Sequence, residues 1–183
     1  MAFIPFVSQF PMAFPGFVFP PAINTTAGLI DATGEKVAWQ GYPQQKDIGK
    51  SLVSVGFRFG AVTKAGGSAL TVSHQDVNLA AGPPQQPDEV MDGQVAIANA
   101  DASFVSNTWI DTAAFDVART IADAPFAIVV EYDGAGRLGA DSVVVSNINS
   151  VNSNIKNTVG SPVLKTAAWA SLDAFQDIVL VFS

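Results

Sequence analysis

Leu52-Val53-Ser54-Val55-Gly56-Phe57-Arg58-Phe59-Gly60-Ala61-Val62 changes character at every second residue. Val53, Val55, Phe57 and Phe59 fall on one side, and Ser54, Gly56, Arg58 and Gly60 on the other. A period of two marks a strand with one face on a core and one toward water, whereas a helix repeats every 3.6 residues. Ala69 to Val77 continues the theme, with Leu70 and Val72 in phase before polar residues take over. Lys64-Ala65-Gly66-Gly67-Ser68 lies between the two runs and reads as the turn of a hairpin. Further along, Phe126, Ile128, Val130 and Tyr132 share one face while Val129 is apolar on the other. Such a strand belongs in the middle of a sheet, between two layers.

Six further strands are expected at 35–40, 94–98, 104–110, 142–148, 163–169 and 177–182, joined by connectors rich in Gly, Pro, Asn and Asp. The alanine-rich stretch 112–124 holds no clean helical stripe. About nine short strands at turn-marked spacing predict an all-β fold: an antiparallel β-sandwich, jelly-roll-like, over residues 31–183. Three stretches are expected as loops. They are 80–93, with its prolines; 133–141, rich in glycine; and 147–157, with five asparagines.

The whole chain has 183 residues, 49% of them hydrophobic, with nine basic and sixteen acidic side chains and a net charge of −7. That length suits one domain, or one domain with an arm. With no cysteine, disulfide frameworks, thiolate metal sites and cysteine nucleophiles are excluded. One histidine rules out an all-histidine metal site within a single chain. The acidic balance argues against nucleic acid as a partner, since tracking a phosphate backbone needs clustered Lys and Arg.

Residues 1–30 carry no charge, and the first twenty contain Phe3, Phe6, Phe10, Phe14, Phe17 and Phe19 interleaved with prolines. A secretory signal does not fit, because the basic leading region is missing. Membrane insertion does not fit either: each internal proline frees a backbone group that hydrocarbon cannot satisfy. What remains is an extended, polyproline-like arm studded with rings, each able to bury about 150–250 Å². The arm can fold back on its own domain or dock on a partner. Six solvated phenylalanines would be an aggregation hazard, which favours docking and makes these six the partner-binding residues.

Several motifs resemble sites. Gly134-Ala135-Gly136-Arg137-Leu138-Gly139 has dinucleotide-loop spacing, but Ser142-Val143-Val144-Val145 follows where a helix is needed, so a hairpin loop is expected instead. His74 and Asp76 share a strand face while Ser73 points away, so these neighbours cannot form a Ser-His-Asp triad. Asp88, Glu89 and Asp92, or Asp133 and Asp141, offer hard oxygen ligands for Ca²⁺ without any complete loop pattern. Trp39, Trp109, Trp169, Tyr42 and Tyr132 can form a sugar-stacking platform, although Trp39 and Trp109 lie within strand patterns and read as core. A hydrolase would need a cleft with a close carboxylate pair. No enzyme activity, cofactor or resident metal is assigned.

The phrases Ser54–Val62, Gly66–Ser73, Gln75-Asp76-Val77, Asn107-Thr108-Trp109-Ile110 and Phe126–Tyr132 resemble β-sandwich virion structural proteins of tailed bacteriophages, of tail-fibre or head-associated type. The likeness covers most of residues 22–183, and no catalytic residues come with it. It implies a virion component made in the host cytoplasm, a homo-oligomer attached to other virion proteins through its arm. Members of the family often continue beyond the final strand, which leaves room for a downstream region. The alternative is a carbohydrate-binding sandwich for host surface glycans, Ca²⁺-dependent or not.

Overall fold

The computed structural model describes residues 23–24, 28–81, 85–134, 136–145, 147–148, 161–171 and 178–183. Its strands are β1 (Ile23–Asn24), β2 (Leu29–Ile30), β3 (Lys36–Gly41), β4 (Ser51–Thr63) and β5 (Leu70–Asn78). Then come β6 (Gln86–Pro87), β7 (Gly93–Ile97), β8 (Trp109–Asp111), β9 (Arg119–Thr120) and β10 (Phe126–Glu131). The last five are β11 (Ser142–Val145), β12 (Asn147–Ile148), β13 (Ser161–Lys165), β14 (Trp169–Ser171) and β15 (Ile178–Phe182). Among the described residues the only helical piece is a single 3-10 turn at Gln45–Asp47, and no helix is long and apolar enough to cross a membrane.

Thirteen of these strands form a β-sandwich, and β1 and β12 pair with each other in a separate two-stranded sheet. One sheet has seven strands in the order β14-β13-β3-β10-β5-β6, with β7 also on β5. The facing sheet has six, β15-β4-β11-β2, with β8 and β9 also on β4. Neighbours within both pair antiparallel. The chain alternates between the sheets almost strand by strand: β2 and β4 lie in one, β3 and β5 in the other, and β10 and β11 are divided in the same way. Leu29–Ile30 pairs with β11, and Ile30 is buried in the core, so the charge-free lead joins the fold at a sheet edge.

Between the sheets runs a seam of aromatic rings. Trp39 of β3 meets Phe57 of β4 at 5.6 Å between centroids, Phe57 meets Phe59 at 5.3 Å, Phe59 meets Phe104 at 5.1 Å, and Phe104 meets Tyr132 at 5.6 Å. The series starts on one sheet, crosses to the other and returns. Tilted and edge-on contacts of this kind add to the area term by setting positive ring edges against negative faces.

The period-two reading of β4 holds in its middle and fails at its start. Val181 pairs with Ser54 and Phe182 with Leu52, which leaves Val53 as an extra, unpaired residue. This bulge turns Leu52 into the core and Val53 outward, reversing the expectation for those two side chains. The expected strand 104–110 shrinks to β8, because Asn107 adopts φ +62° and ends the ladder. The expected strand 163–169 is in fact a hairpin, with Lys165 of β13 facing Trp169 of β14.

Both expected hairpin turns are corrected as well. Residues 64–69 lead from β4 in one sheet to β5 in the other, and residues 132–141 lead from β10 to β11. Each is a crossover between sheets. Glycine-rich turn chemistry is common to the two kinds of connection, so local sequence does not separate them.

β10 is central, as its two apolar faces require. Phe126, Ile128 and Val130 face the aromatic seam, while Ala127 and Val129 pack with Ala38, Val77 and Trp169 on the outer side. The second layer comes from residues 85–92 and from Trp169: Glu89 accepts the Trp169 indole N–H at 3.3 Å and forms an ion pair with Lys165.

The seam makes a direct prediction. Phe57→Ala opens a void between two other rings and should cost about 3–5 kcal/mol in urea unfolding, with the transition still cooperative. A loss below about 1 kcal/mol would show that the sheets are not held by this seam.

Candidate functional site

The densest polar constellation lies where the two crossovers meet. Asp141 is buried, and its carboxylate accepts the N–H groups of Ala65 at 2.7 Å, Gly66 at 3.1 Å and Leu138 at 2.8 Å. Around it, Gly67 N–H donates to Gly136 O at 3.2 Å, Asn99 Nδ2 to Gly66 O at 2.6 Å, and Arg137 Nη2 to Asp141 O at 2.9 Å. Both crossovers are therefore tied to one carboxylate. Glycine at 66 is a steric requirement: a Cβ there would lie 2.3 Å from Gly136 O and 2.4 Å from Asp141 Oδ2.

Bonding to three backbone N–H groups, Leu138 foremost, holds the Asp141 carboxyl below the ordinary aspartate range, against burial, which pushes it up. Its negative charge acts with burial to raise the neighbouring Tyr132 phenol, burial being the larger cause. Asp133 is engaged elsewhere, accepting Gly34 N–H at 2.8 Å. The pair Asp133 and Asp141 thus serves as loop anchors, with both carboxylates committed to amides.

A second clasp closes the other end of β4. Arg119, which faces Leu52 across β9 and β4, reaches to the opposite sheet. Its guanidinium bonds Asp92 Oδ2 at 3.0 Å and Asp76 Oδ1, and stacks over Phe126 with 5.4 Å to the ring centroid. Its partners lie 27 and 43 residues away in sequence, so no local pattern announces it.

His74 is buried beside this clasp. Its Nε2 lies 2.8 Å from Val117 O, and its ring meets Phe115 edge-on at 5.0 Å. Asp76 turns to Arg119 and not to the imidazole. A histidine hydrogen-bonded to a backbone carbonyl and set edge-on against a phenyl ring is a packing element that joins β5 to the 113–118 segment.

The acidic group at 88–92 is divided among different donors. Asp88 accepts Val90 N–H at 3.0 Å, Glu89 takes Lys165 and Trp169, and Asp92 takes Arg119. The Lys165 ammonium is the main reason Glu89 titrates below the ordinary glutamate range. Among the described residues, no three His, Cys, Asp or Glu side chains gather as a metal site.

The five candidate platform aromatics separate by environment. Trp39 and Tyr132 belong to the core, and Trp169 covers the outer layer. Tyr42 is 60% exposed on the connection after β3. Trp109 departs from its expected core position and sits half-buried on the outer face of the six-stranded sheet. Phe3, Phe6, Phe10, Phe14, Phe17 and Phe19 lie outside the described residues, as does most of the 147–157 loop.

No protein-family profile, curated protein or solved structure matches the chain.

The Asp141 knot predicts an acid-sensitive fold. A depressed folded-state pKa contributes stability that is complete above the ordinary aspartate value of 3.8 and is lost as pH falls through the folded value. Asp141→Asn should lower the melting temperature at neutral pH, because an amide NH₂ then faces backbone donors. It should also flatten the acid limb of stability against pH; an unchanged acid limb would assign that limb to other carboxylates.

Proposed function

We infer that the chain is a structural component of a phage particle, a fibre, spike or decoration subunit attached through its amino-terminal aromatic arm. The observation that carries this reading is a contrast within the chain. Residues 1–21 bring six phenylalanines, five prolines and no charge, while the sandwich has an aromatic seam of its own and clasps at both ends. A strap of that composition gains most where a partner surface removes its rings from water.

The geometry suits the role. After β1 pairs with β12, the lead reaches the edge of the six-stranded sheet through β2, so a pull on the arm is transmitted into ladders against β12 and β11. A particle offers many identical neighbours, and several weak attachments acting together hold far better than one. The net charge of −7 fits an outward position better than one lining packaged DNA. Glycan binding has one observation in its favour, the half-buried Trp109 on an outer sheet face.

Deleting residues 1–21 tests the anchoring role. The truncated chain should melt cooperatively, sediment as a monomer and fail to join particles, while the full chain associates. Loss of cooperative melting would assign the arm to the domain's own core. A full-length chain that stays monomeric with all six rings protected from solvent would end the anchoring reading.

A further inference from the structure

We propose that the outer face of the six-stranded sheet carries a saccharide-binding platform built on Trp109, Arg58 and Asp111. Four positions form a square there. Gly56 and Arg58 of β4 face Asp111 and Trp109 of β8, respectively. The residues between them, Phe57 and Ile110, are buried in the core, so alternation sends the four outward.

Glycine leaves one corner of the square empty, and the indole fills it. A Cβ at position 56 would lie 2.7 Å from Cζ2 and 3.2 Å from Cε2 of Trp109. The indole N–H donates to Asp111 Oδ1 at 2.9 Å, which fixes the ring. Trp109 and Gly56 occupy one diagonal of the square, Arg58 and Asp111 the other. The ring therefore stands between a guanidinium and a carboxylate that would otherwise be close enough to pair.

Both charged groups are under-used by the protein. The Arg58 Nη2 contact to Asn107 O is long, at 3.4 Å, which leaves the outer guanidinium nitrogens weakly engaged, while Nε is buried with no hydrogen-bond partner. Among the described residues no carboxylate lies within ion-pair distance of Arg58, and Asp111 is exposed with the indole N–H as its partner. A fixed aromatic ring flanked by one planar donor and one planar acceptor matches a pyranose. Its C–H face stacks on the ring, and hydroxyls on either side pair with the guanidinium and the carboxylate. Nucleic acid is disfavoured, since a phosphate would meet the Asp111 carboxylate and a chain of net charge −7. The proposal stands apart from the anchoring role and survives its failure.

The test is an NMR titration of the full-length chain with the methyl glycosides of glucose, galactose, mannose, N-acetylglucosamine and glucuronic acid. The three tryptophans give three indole N–H signals. At least one glycoside should shift the Trp109 signal saturably and leave that of core-bound Trp39 in place. Arg58→Ala and Asp111→Ala should each weaken the response about tenfold, as expected for a hydrogen bond to a charged group. The Trp39 signal reports whether those variants keep the fold. The proposal is overturned if no glycoside moves the Trp109 signal, or if the response persists undiminished in both variants with Trp39 unperturbed.

Discussion

A single buried carboxylate decides how this sandwich connects its halves. The chain changes sheet at 64–69 and again at 132–141, and each passage turns backbone N–H groups away from any ladder. Buried amides without acceptors are costly, and Asp141 accepts three of them from both passages at once. Had the carboxylate bonded only its own loop, the two crossovers would be independent and free to shift against each other. Because it bonds both, the ends of β4, β5, β10 and β11 are fixed relative to one another. The aromatic seam then packs between sheets whose spacing is already set.

The opposite end of the sandwich is closed by different chemistry. Arg119 is cationic, mostly covered and stacked on Phe126, and it spans the sheets through Asp76 and Asp92. A guanidinium suits that position because its planar fork serves two carboxylates while its face lies on a ring. His74 and Phe115 fill the space beside it. Groups that look like triad members or metal ligands in the linear sequence are thereby engaged in holding two sheets together. Asp76, His74 and Asp92 each have a structural partner, and none of those partners is a neighbour in sequence.

Much of this was legible in the chain, and the boundary of legibility has a physical cause. Strand existence follows from alternation, a local property, so β3, β4, β5, β7, β10 and β15 stand where the period of two puts them. The two apolar faces of β10 correctly announced a covering layer. Sheet membership was hidden, because Gly-rich residues 64–68 serve a crossover as readily as a hairpin. The Val53 bulge was hidden too, since it arises from pairing with Phe182 and Val181 far along the chain. Trp109 misled for a related reason: its apolar bulk suggested core, and only the missing side chain at Gly56 lets it rest outside.

The pairing of the first long strand with the last has a consequence for how the molecule comes into being. Ser51 and Ser183 exchange backbone hydrogen bonds, and Phe57 sits beside Ile178. Until that final segment is synthesised, one flank of β4 lacks its partner over residues 52–57, and the apolar side chains of an unfinished sheet face solvent. Connections that join distant parts of a chain also form slowly, since loop closure must precede any reward. A nascent copy is thus sticky until Ile178–Phe182 has emerged and paired with β4. Cells that make it in quantity have reason to keep newly made copies apart until each has closed on itself.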